Sequence, residues 1–106
     1  MIARIWRGTV SSLKADEYLE RMQTIALPEY LATEGNRGAY CFHQEKESVT
    51  HVVMVTLWKD VEAIKRFAGE DFSLAKYYDF DPEYLLEMEA RVQHYDVLAG
   101  SSLHPH

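Results

Sequence analysis

Four stretches of the chain are rich in the β-branched and aromatic side chains that favour strands. They are residues 2–10, 39–45, 49–58 and about 86–98. The second and third are separated only by a polar segment, residues 45–48, which is typical of a hairpin turn. The pattern therefore predicts four strands, and it joins the middle two directly as a hairpin.

Two segments between these strands repeat apolar side chains with the 3.6-residue period of an amphipathic helix. The first covers residues 13–26 and follows a pair of serines that suit a helix N-cap. Pro28 breaks or restarts this helix, and the sequence Pro-Glu-Tyr-Leu suits a short further turn. The second begins after the cap residue Asp60 and ends at Gly69.

Shorter elements complete the chain. Residues 71–78 predict a third helical piece, and the sequence Asp-Pro-Glu at 81–83 resembles a cap and first turn of another helix. The order strand, helix, strand, strand, helix, strand closes most simply as an α+β domain. The predicted layout is ferredoxin-like, with the element order βαββαβ. Its four strands form one antiparallel sheet, with the helices on one face. The domain is predicted over 1–98, followed by a mobile polar tail over 99–106.

The third strand predicts a homodimer because both of its faces are largely apolar. One face carries Val49, His51, Val53, Val55 and Leu57. The other carries Thr50, Val52, Met54, Thr56 and Trp58. The helices can cover only one face, and at about 25 cal/mol per Å² a wet apolar row would cost several kcal/mol. The sheet of a second copy is the simplest cover. The alternative is a monomer with a scattered apolar patch.

Composition narrows the class of protein. The chain has 106 residues, 47% hydrophobic and 26% charged, which suits one folded domain rather than a disordered or membrane protein. Its net charge of −6 with scattered basic residues disfavours nucleic-acid binding. Cys41 is the sole cysteine, so an internal disulfide and a four-thiolate zinc site are excluded. With no signal peptide at the start, this favours the reducing cytoplasm.

Several stretches resemble the antibiotic biosynthesis monooxygenase superfamily of dimeric α/β-barrel proteins. They are MIARIWRGTV at the start, ATEGNRGAY at 32–40, VVMVTLWKDVEAIKRFAG at 52–69 and VQHYDV at 92–97. The Trp that is followed by a charged turn and Glu62-Ala63 is the most specific of these motifs. The turn into strand two departs from the family's Pro-Gly-x-x-Gly pattern, with Glu34 where proline is common. The resemblance implies a pocket between sheet and helices and a barrel formed by two sheets.

Members of this superfamily include monooxygenases without cofactors, haem-degrading enzymes and proteins with no known activity. The resemblance therefore implies oxygenation of a small phenol, quinol or polyketide-like aromatic with no bound cofactor. Haem is disfavoured, because residues 72–78 lack the iron-ligating His of that branch and residues 5–7 lack its Asn. A haem-binding protein would show a Soret shift on titration, and we expect none. The alternative function is a binding or regulatory module that holds an apolar ligand without chemistry.

Oxygenation without a metal or flavin requires a proton acceptor and donors for the developing oxyanion. Histidine is the natural acceptor near neutral pH. His94 and His51 are the candidate catalytic residues, and His43 on strand two is a third possibility. A structural, hydrogen-bonded role is the commoner fate of such residues. They have no i, i+4 spacing and no acidic cluster beside them, so no metal site is predicted.

The candidate pocket residues are aromatic, apart from one arginine. They are Trp58, Trp6, Arg4, Tyr77 and Tyr78. The resemblance equates Trp58 with the Trp that borders the pocket in the haem-degrading branch, although these rings could equally fill the core. Arg4 lies on the predicted central strand and must find an anion. A glutamate of the last strand, Glu87 or Glu89, is favoured over a substrate oxyanion.

Overall fold

The computed structural model describes residues 1–100, and it confirms the predicted α+β class. Its strands are β1 (Ile2–Ser11), β2 (Asn36–Lys46), β3 (Val49–Trp58) and β4 (Gln93–Asp96). They form one antiparallel sheet in the order β2-β3-β1-β4, so β1 is central as predicted. From residue 101 onward, the predicted tail lies outside the described residues.

The helical layer contains α1 (Ala15–Arg21), α2 (Leu27–Ala32), α3 (Val61–Ala68) and α4 (Asp81–Tyr84). A 3₁₀ turn, Ser12–Lys14, precedes α1, and a π-helical turn, Met22–Ala26, joins α1 to α2. The proline of α2 lies in the first turn, where a missing amide is tolerated, so the helical backbone restarts there. The predicted 13–26 helix is therefore the first part of a longer composite helix.

Caps and turns place α3 and α4 as the sequence predicts. The Asp60 carboxylate accepts a hydrogen bond from the Ala63 amide at 2.9 Å, and α3 ends at Gly69 with φ +94°. The Asp-Pro-Glu segment does begin a helix, the single turn α4. The core lies between these helices and one face of the sheet. The β3 residues on that face, from Thr50 to Trp58, are all buried.

No helix within residues 1–100 packs on the opposite face of the sheet, which we call the open face. It carries Val53 and Val55 of β3, and the register places Tyr40 and Phe42 of β2 beside them. Those two side chains are 55% and 56% exposed, and their rings stack with centroids 6.5 Å apart. The prediction that one apolar face lacks a cover within its own chain is confirmed for the described residues.

Two predicted elements are wrong. Residues 71–78 form no helix, and the last strand begins at Gln93 rather than near residue 86. The two segments bond to each other instead, through Ala75 N to Ala90 O at 2.9 Å and Val92 N to Ser73 O at 3.0 Å. Leu85 and Leu86 still bridge to β1, with the Leu86 amide 2.8 Å from the Thr9 carbonyl oxygen. The chain then leaves β1 until Gln93, because backbone groups bonded between the two segments are unavailable to a helix or a longer ladder.

None of the helices in the described part of the chain is long and apolar enough to cross a membrane.

Candidate active site

The central strand β1 presents Arg4 and Trp6 to the helical layer. The Trp6 indole lies over Gly8, where an added Cβ would come within 2.5 Å of the ring. Glycine therefore allows the ring to lie close to the strand backbone. The buried indole N–H of Trp6 has no hydrogen-bond partner within residues 1–100. An unpaired buried donor is costly, and it is a ready contact for a ligand oxygen.

A cavity lies beside this indole, between the sheet and the helices. We call it the helix-side cavity, and its walls are Trp6, Tyr18, Met22, Ala26, Tyr30, Met54, Lys76, Tyr78 and Asp81. As it stands it has room for about one water molecule. Its walls are mostly apolar or aromatic, with a few polar groups that converge on it, which is the usual character of a ligand site.

Asp81 supplies the carboxylate of the cavity and is only 2% exposed. One oxygen accepts the Tyr18 hydroxyl at 2.9 Å, and the other accepts the Tyr78 amide at 2.6 Å. No cation within residues 1–100 forms an ion pair with it. Burial raises the pKa of Asp81, and the two hydrogen bonds to its charged form oppose that effect only in part.

Three phenols face the same space, and burial raises the pKa of Tyr18, Tyr30 and Tyr78 well above the usual range. All three are therefore protonated donors at neutral pH. The Tyr78 hydroxyl is buried and has no hydrogen-bond partner among the described residues. The nearby Glu29 carboxylate contributes to the raised Tyr78 pKa without reaching hydrogen-bond geometry.

Lys76 closes one side of the cavity. Its ammonium donates to the Glu29 carboxylate of α2 and lies 4.4 Å from the centre of the Phe67 ring. Both members of the ion pair are partly exposed, so this side of the cavity faces solvent. Partly exposed pairs contribute little to stability, and this one can open at small cost.

Arg4 and His94 form a second polar group on the same face. Arg4 is 2% exposed and donates to the carbonyl oxygens of Phe72 and Leu74 at 2.5 and 2.9 Å. Its Nη1 also lies 3.1 Å from His94 Nε2. Because a guanidinium can only donate, Nε2 must accept and the ring proton is on Nδ1. Burial and the Arg4 charge lower the pKa of His94, which favours the neutral ring.

The expected partner of Arg4 is therefore wrong, because the arginine bonds backbone carbonyls and not Glu87 or Glu89. Both glutamates are exposed and line a groove with Arg7 and His51. The register of β4 places His94 opposite Arg4, so even a longer strand in the same register would not bring either glutamate there.

The predicted pocket residues separate into two groups. Trp6 and Tyr78 line the cavity, and Tyr77 packs edge-on against Trp6 at 6.3 Å. The Tyr77 hydroxyl donates to the Glu89 carbonyl. Burial raises the pKa of Tyr77, and the nearby Trp6 N–H opposes this only in part, without forming a hydrogen bond. Trp58 is fully buried behind Tyr30, with its indole N–H bonded to Thr56 Oγ1 at 2.8 Å. It lies in the core and not on the cavity wall.

The two candidate histidines lie on opposite faces of the sheet. His94 is on the helix side next to Arg4, although it is not one of the wall residues. His51 pairs with Thr9 and Gln44 on the open face, away from the cavity. His43 is on the helix side of β2, in a separate groove with Cys41. No three His, Cys, Asp or Glu side chains within residues 1–100 are close enough to hold a metal ion.

Sequence reasoning missed Asp81, Tyr18 and Tyr30 as cavity residues. Asp81 reads as a helix cap, and its local sequence carries no sign that the carboxylate is buried. Tyr18 and Tyr30 follow the apolar period of the first helix and read as core. The one available signal was that a phenol on a buried helix stripe needs a polar partner for its hydroxyl.

The sheet order, the one-sided helical layer and the cavity between them define a ferredoxin-like α+β domain. Among solved structures, the chain is similar to a putative antibiotic biosynthesis monooxygenase from Bacillus cereus, with a TM-score of 0.62 and 18% identity. The match covers 99% of this chain and 98% of that one. The chain therefore shares the fold of that protein. No family model and no curated protein matches the chain.

Proposed function

We propose that this chain is a cofactor-free monooxygenase of the antibiotic biosynthesis monooxygenase superfamily. Its substrate would be a small phenol, quinol or polyketide-like aromatic bound in the helix-side cavity. The observation that carries the proposal is a cavity lined by Trp6, whose buried indole N–H is unpaired among the described residues, together with the buried carboxylate of Asp81. The shared fold supports it, because that protein is described as a monooxygenase.

Such a reaction needs no electrons from outside the substrate. A phenolic O–H is deprotonated, and the electron-rich anion reduces O₂ and forms a new C–O bond. For an anthrone, the net change converts a CH₂ group and O₂ into a carbonyl and water. A hydroquinone and O₂ give a hydroxyquinone and water, and in both cases the substrate supplies all the electrons. The protein must exclude water, take a proton and stabilise the oxyanion. The cavity offers apolar walls together with the donors Trp6 and Tyr78.

An aromatic ring requires more space than the closed cavity provides, so binding must open it. The irregular segment 72–80 carries Lys76, Tyr77 and Tyr78. The partly exposed Lys76–Glu29 ion pair is the contact that breaks most easily on the solvent side of the cavity. We infer that this segment moves outward to admit the substrate and then closes over it. Such closure sequesters a reactive anion from water.

We propose that the active form is a homodimer that buries the open face of the sheet. Tyr40, Phe42, Val53 and Val55 present a continuous apolar surface on that face. Exposed apolar patches of this kind mark interaction surfaces, and a two-fold pairing with a second copy covers the same patch on both chains. We also propose a cytoplasmic location, consistent with the free thiol of Cys41.

Oxygen consumption tests the activity. Protein freed of flavin and metal is mixed with a panel of hydroquinones and anthrones in an oxygen-electrode cell, beside buffer and heat-unfolded protein. We expect uptake above both controls for at least one substrate, and labelled oxygen from ¹⁸O₂ in its product. No uptake above the controls across the panel contradicts the proposal.

A binding or regulatory module is the second candidate, because apolar walls with a few polar groups are also what a ligand site without chemistry requires. In that case a phenol would bind and protect the protein against unfolding, since a ligand that binds only the native state stabilises it. Saturable binding without oxygen uptake or product would select this function over the first.

A further inference from the structure

We propose that Asp81, and neither histidine, is the proton acceptor of the helix-side cavity. Its carboxylate takes the phenolic proton of a bound aromatic, while the Trp6 indole N–H and the Tyr78 hydroxyl receive the oxyanion. This inference rests on the proposed function, because it names the base of the same site.

Geometry excludes the histidines from this role. His51 lies on the open face, with the sheet between it and the cavity. His94 directs Nε2 at the Arg4 guanidinium 3.1 Å away. Accepting a proton there would place two positive charges in contact in a partly buried site. Asp81 is the only His, Asp or Glu among the wall residues of the cavity.

The surroundings of Asp81 are those of a base rather than of a structural ion. Every element packed on it contributes a neutral group: Tyr18 from α1, Tyr30 from α2, and the amide and phenol of Tyr78. The one cationic side chain on the wall, Lys76, is paired with Glu29. A buried carboxylate without a cation is costly to fold.

Such a carboxylate is also more basic than an exposed aspartate. Burial raises the pKa of Asp81, which brings it closer to the pKa of an acidic phenol and makes proton transfer easier. In the transfer, the substrate O–H bond breaks and its electron pair stays on the phenolate oxygen. The proton bonds to a carboxylate oxygen of Asp81. O₂, the co-substrate of the proposed reaction, then reacts with the phenolate.

The test uses 4-nitrophenol, whose phenolate absorbs visible light and whose phenol does not. The probe is added at a pH where it is protonated in solution, and binding is followed separately by quenching of tryptophan fluorescence. We expect the wild-type protein to bind it as the phenolate. Asp81→Asn keeps the size of the side chain and can still bond Tyr18 and the Tyr78 amide, but it cannot take the proton. It should bind the probe without the visible band.

Two further variants control the result. Asp79→Asn removes an exposed aspartate in the same segment and should behave as wild type. Tyr18→Phe removes a hydrogen bond that favours the charged form of Asp81, so the carboxylate becomes a stronger base. It should increase the bound phenolate fraction and move the acid limb of kcat/KM to higher pH. A purely structural Asp81 would shift neither, and this variant keeps the proposal testable if Asp81→Asn does not fold.

The outcomes separate this inference from the proposed function. If wild type turns over substrate and Asp81→Asn retains its rate and its visible band, Asp81 is not the base, although the activity stands. We expect instead a loss of about 10²–10⁴-fold in kcat, the usual contribution of a positioned base. Bound phenolate that depends on Asp81 without any oxygen uptake supports the acceptor and refutes the oxygenase. Failure of wild type to bind the probe overturns both.

Discussion

Replacing Arg4 by Met tests how the central strand holds the segment that closes the cavity. The variant keeps a long apolar stem but removes the bonds to the Phe72 and Leu74 carbonyls. Two lost bonds from a charged donor are worth about 3–6 kcal/mol. The variant also no longer buries a positive charge that lacks an anionic partner, and this gain offsets several kcal/mol of that loss. We expect a net destabilisation of about 1–3 kcal/mol, because the Phe72 and Leu74 carbonyls are left without their hydrogen-bond donor.

A second consequence of the same change concerns His94. Arg4 contributes to the lowered pKa of this histidine, so the pKa in Arg4→Met should rise toward its usual value. In wild type, the folded pKa lies below the unfolded one. The neutral ring therefore contributes stability that is present above about pH 6.5 and is lost as the pH falls through the folded value. This acid loss should be smaller in Arg4→Met.

Urea unfolding at a fixed protein concentration gives the stability change, and a proton NMR titration of the imidazole gives the pKa. Arg37→Met is the matched control, since Arg37 is exposed on β2 and forms no ion pair within the described residues. Its effect should be within about 0.5 kcal/mol, as is usual for surface changes. An Arg4→Met loss no larger than that of Arg37→Met, or an unchanged His94 pKa, would refute the reasoning.

Three other changes have defined outcomes. Asp81→Asn should stabilise the protein near pH 7, because the raised folded pKa means that the charged carboxylate costs stability there. The advantage should shrink as the pH falls and the carboxyl of wild type becomes neutral. Urea midpoints measured at several pH values test this, and a variant that is less stable than wild type at pH 7 would contradict it. The proposed homodimer predicts that wild type sediments as a dimer and Phe42→Glu as a monomer in analytical ultracentrifugation. A monomeric wild type would contradict the homodimer, and a dimeric variant would place its interface elsewhere. Gly8→Ala should cost about 1–3 kcal/mol of stability, because the new methyl group meets the Trp6 ring and the Leu85 side chain. The thermal midpoint should fall accordingly. An unaltered midpoint would mean that the Trp6 ring is not held against the strand.

The elements that the sequence predicts correctly are those bounded by local signals in the chain. β3 was predicted with its observed bounds because both of its faces are apolar and polar turns limit it at each end. α3 was predicted because the cap at Asp60 and the stop at Gly69 are local signals. Such elements are specified by residues close to each other in the chain, so a single sequence is sufficient to find them.

Residues 71–78 and the start of the last strand were predicted wrongly, for a physical reason. Their backbone bonds run between residues 73–75 and 90–92 and to the guanidinium of Arg4, more than 65 residues away in sequence. Long-range partners of this kind leave no periodic pattern. The burial of Asp81 depends on the same segment, so its likeness to an ordinary helix cap concealed its place in the cavity. Trp6 and Tyr78 were predicted as pocket residues because aromatic rings near a predicted pocket are conspicuous, and both line the helix-side cavity.

Oxygen uptake by the metal- and flavin-free protein, compared with Trp6→Phe, tests the central claim most directly. The substitution removes the unpaired indole N–H that carries the proposal and keeps an aromatic ring at the cavity wall. The proposal predicts uptake above the buffer rate with a hydroquinone or anthrone, and a rate about 10-fold or more lower in the variant, since lost oxyanion donors are costly. Equal rates in the two proteins, or no uptake in either, would contradict it.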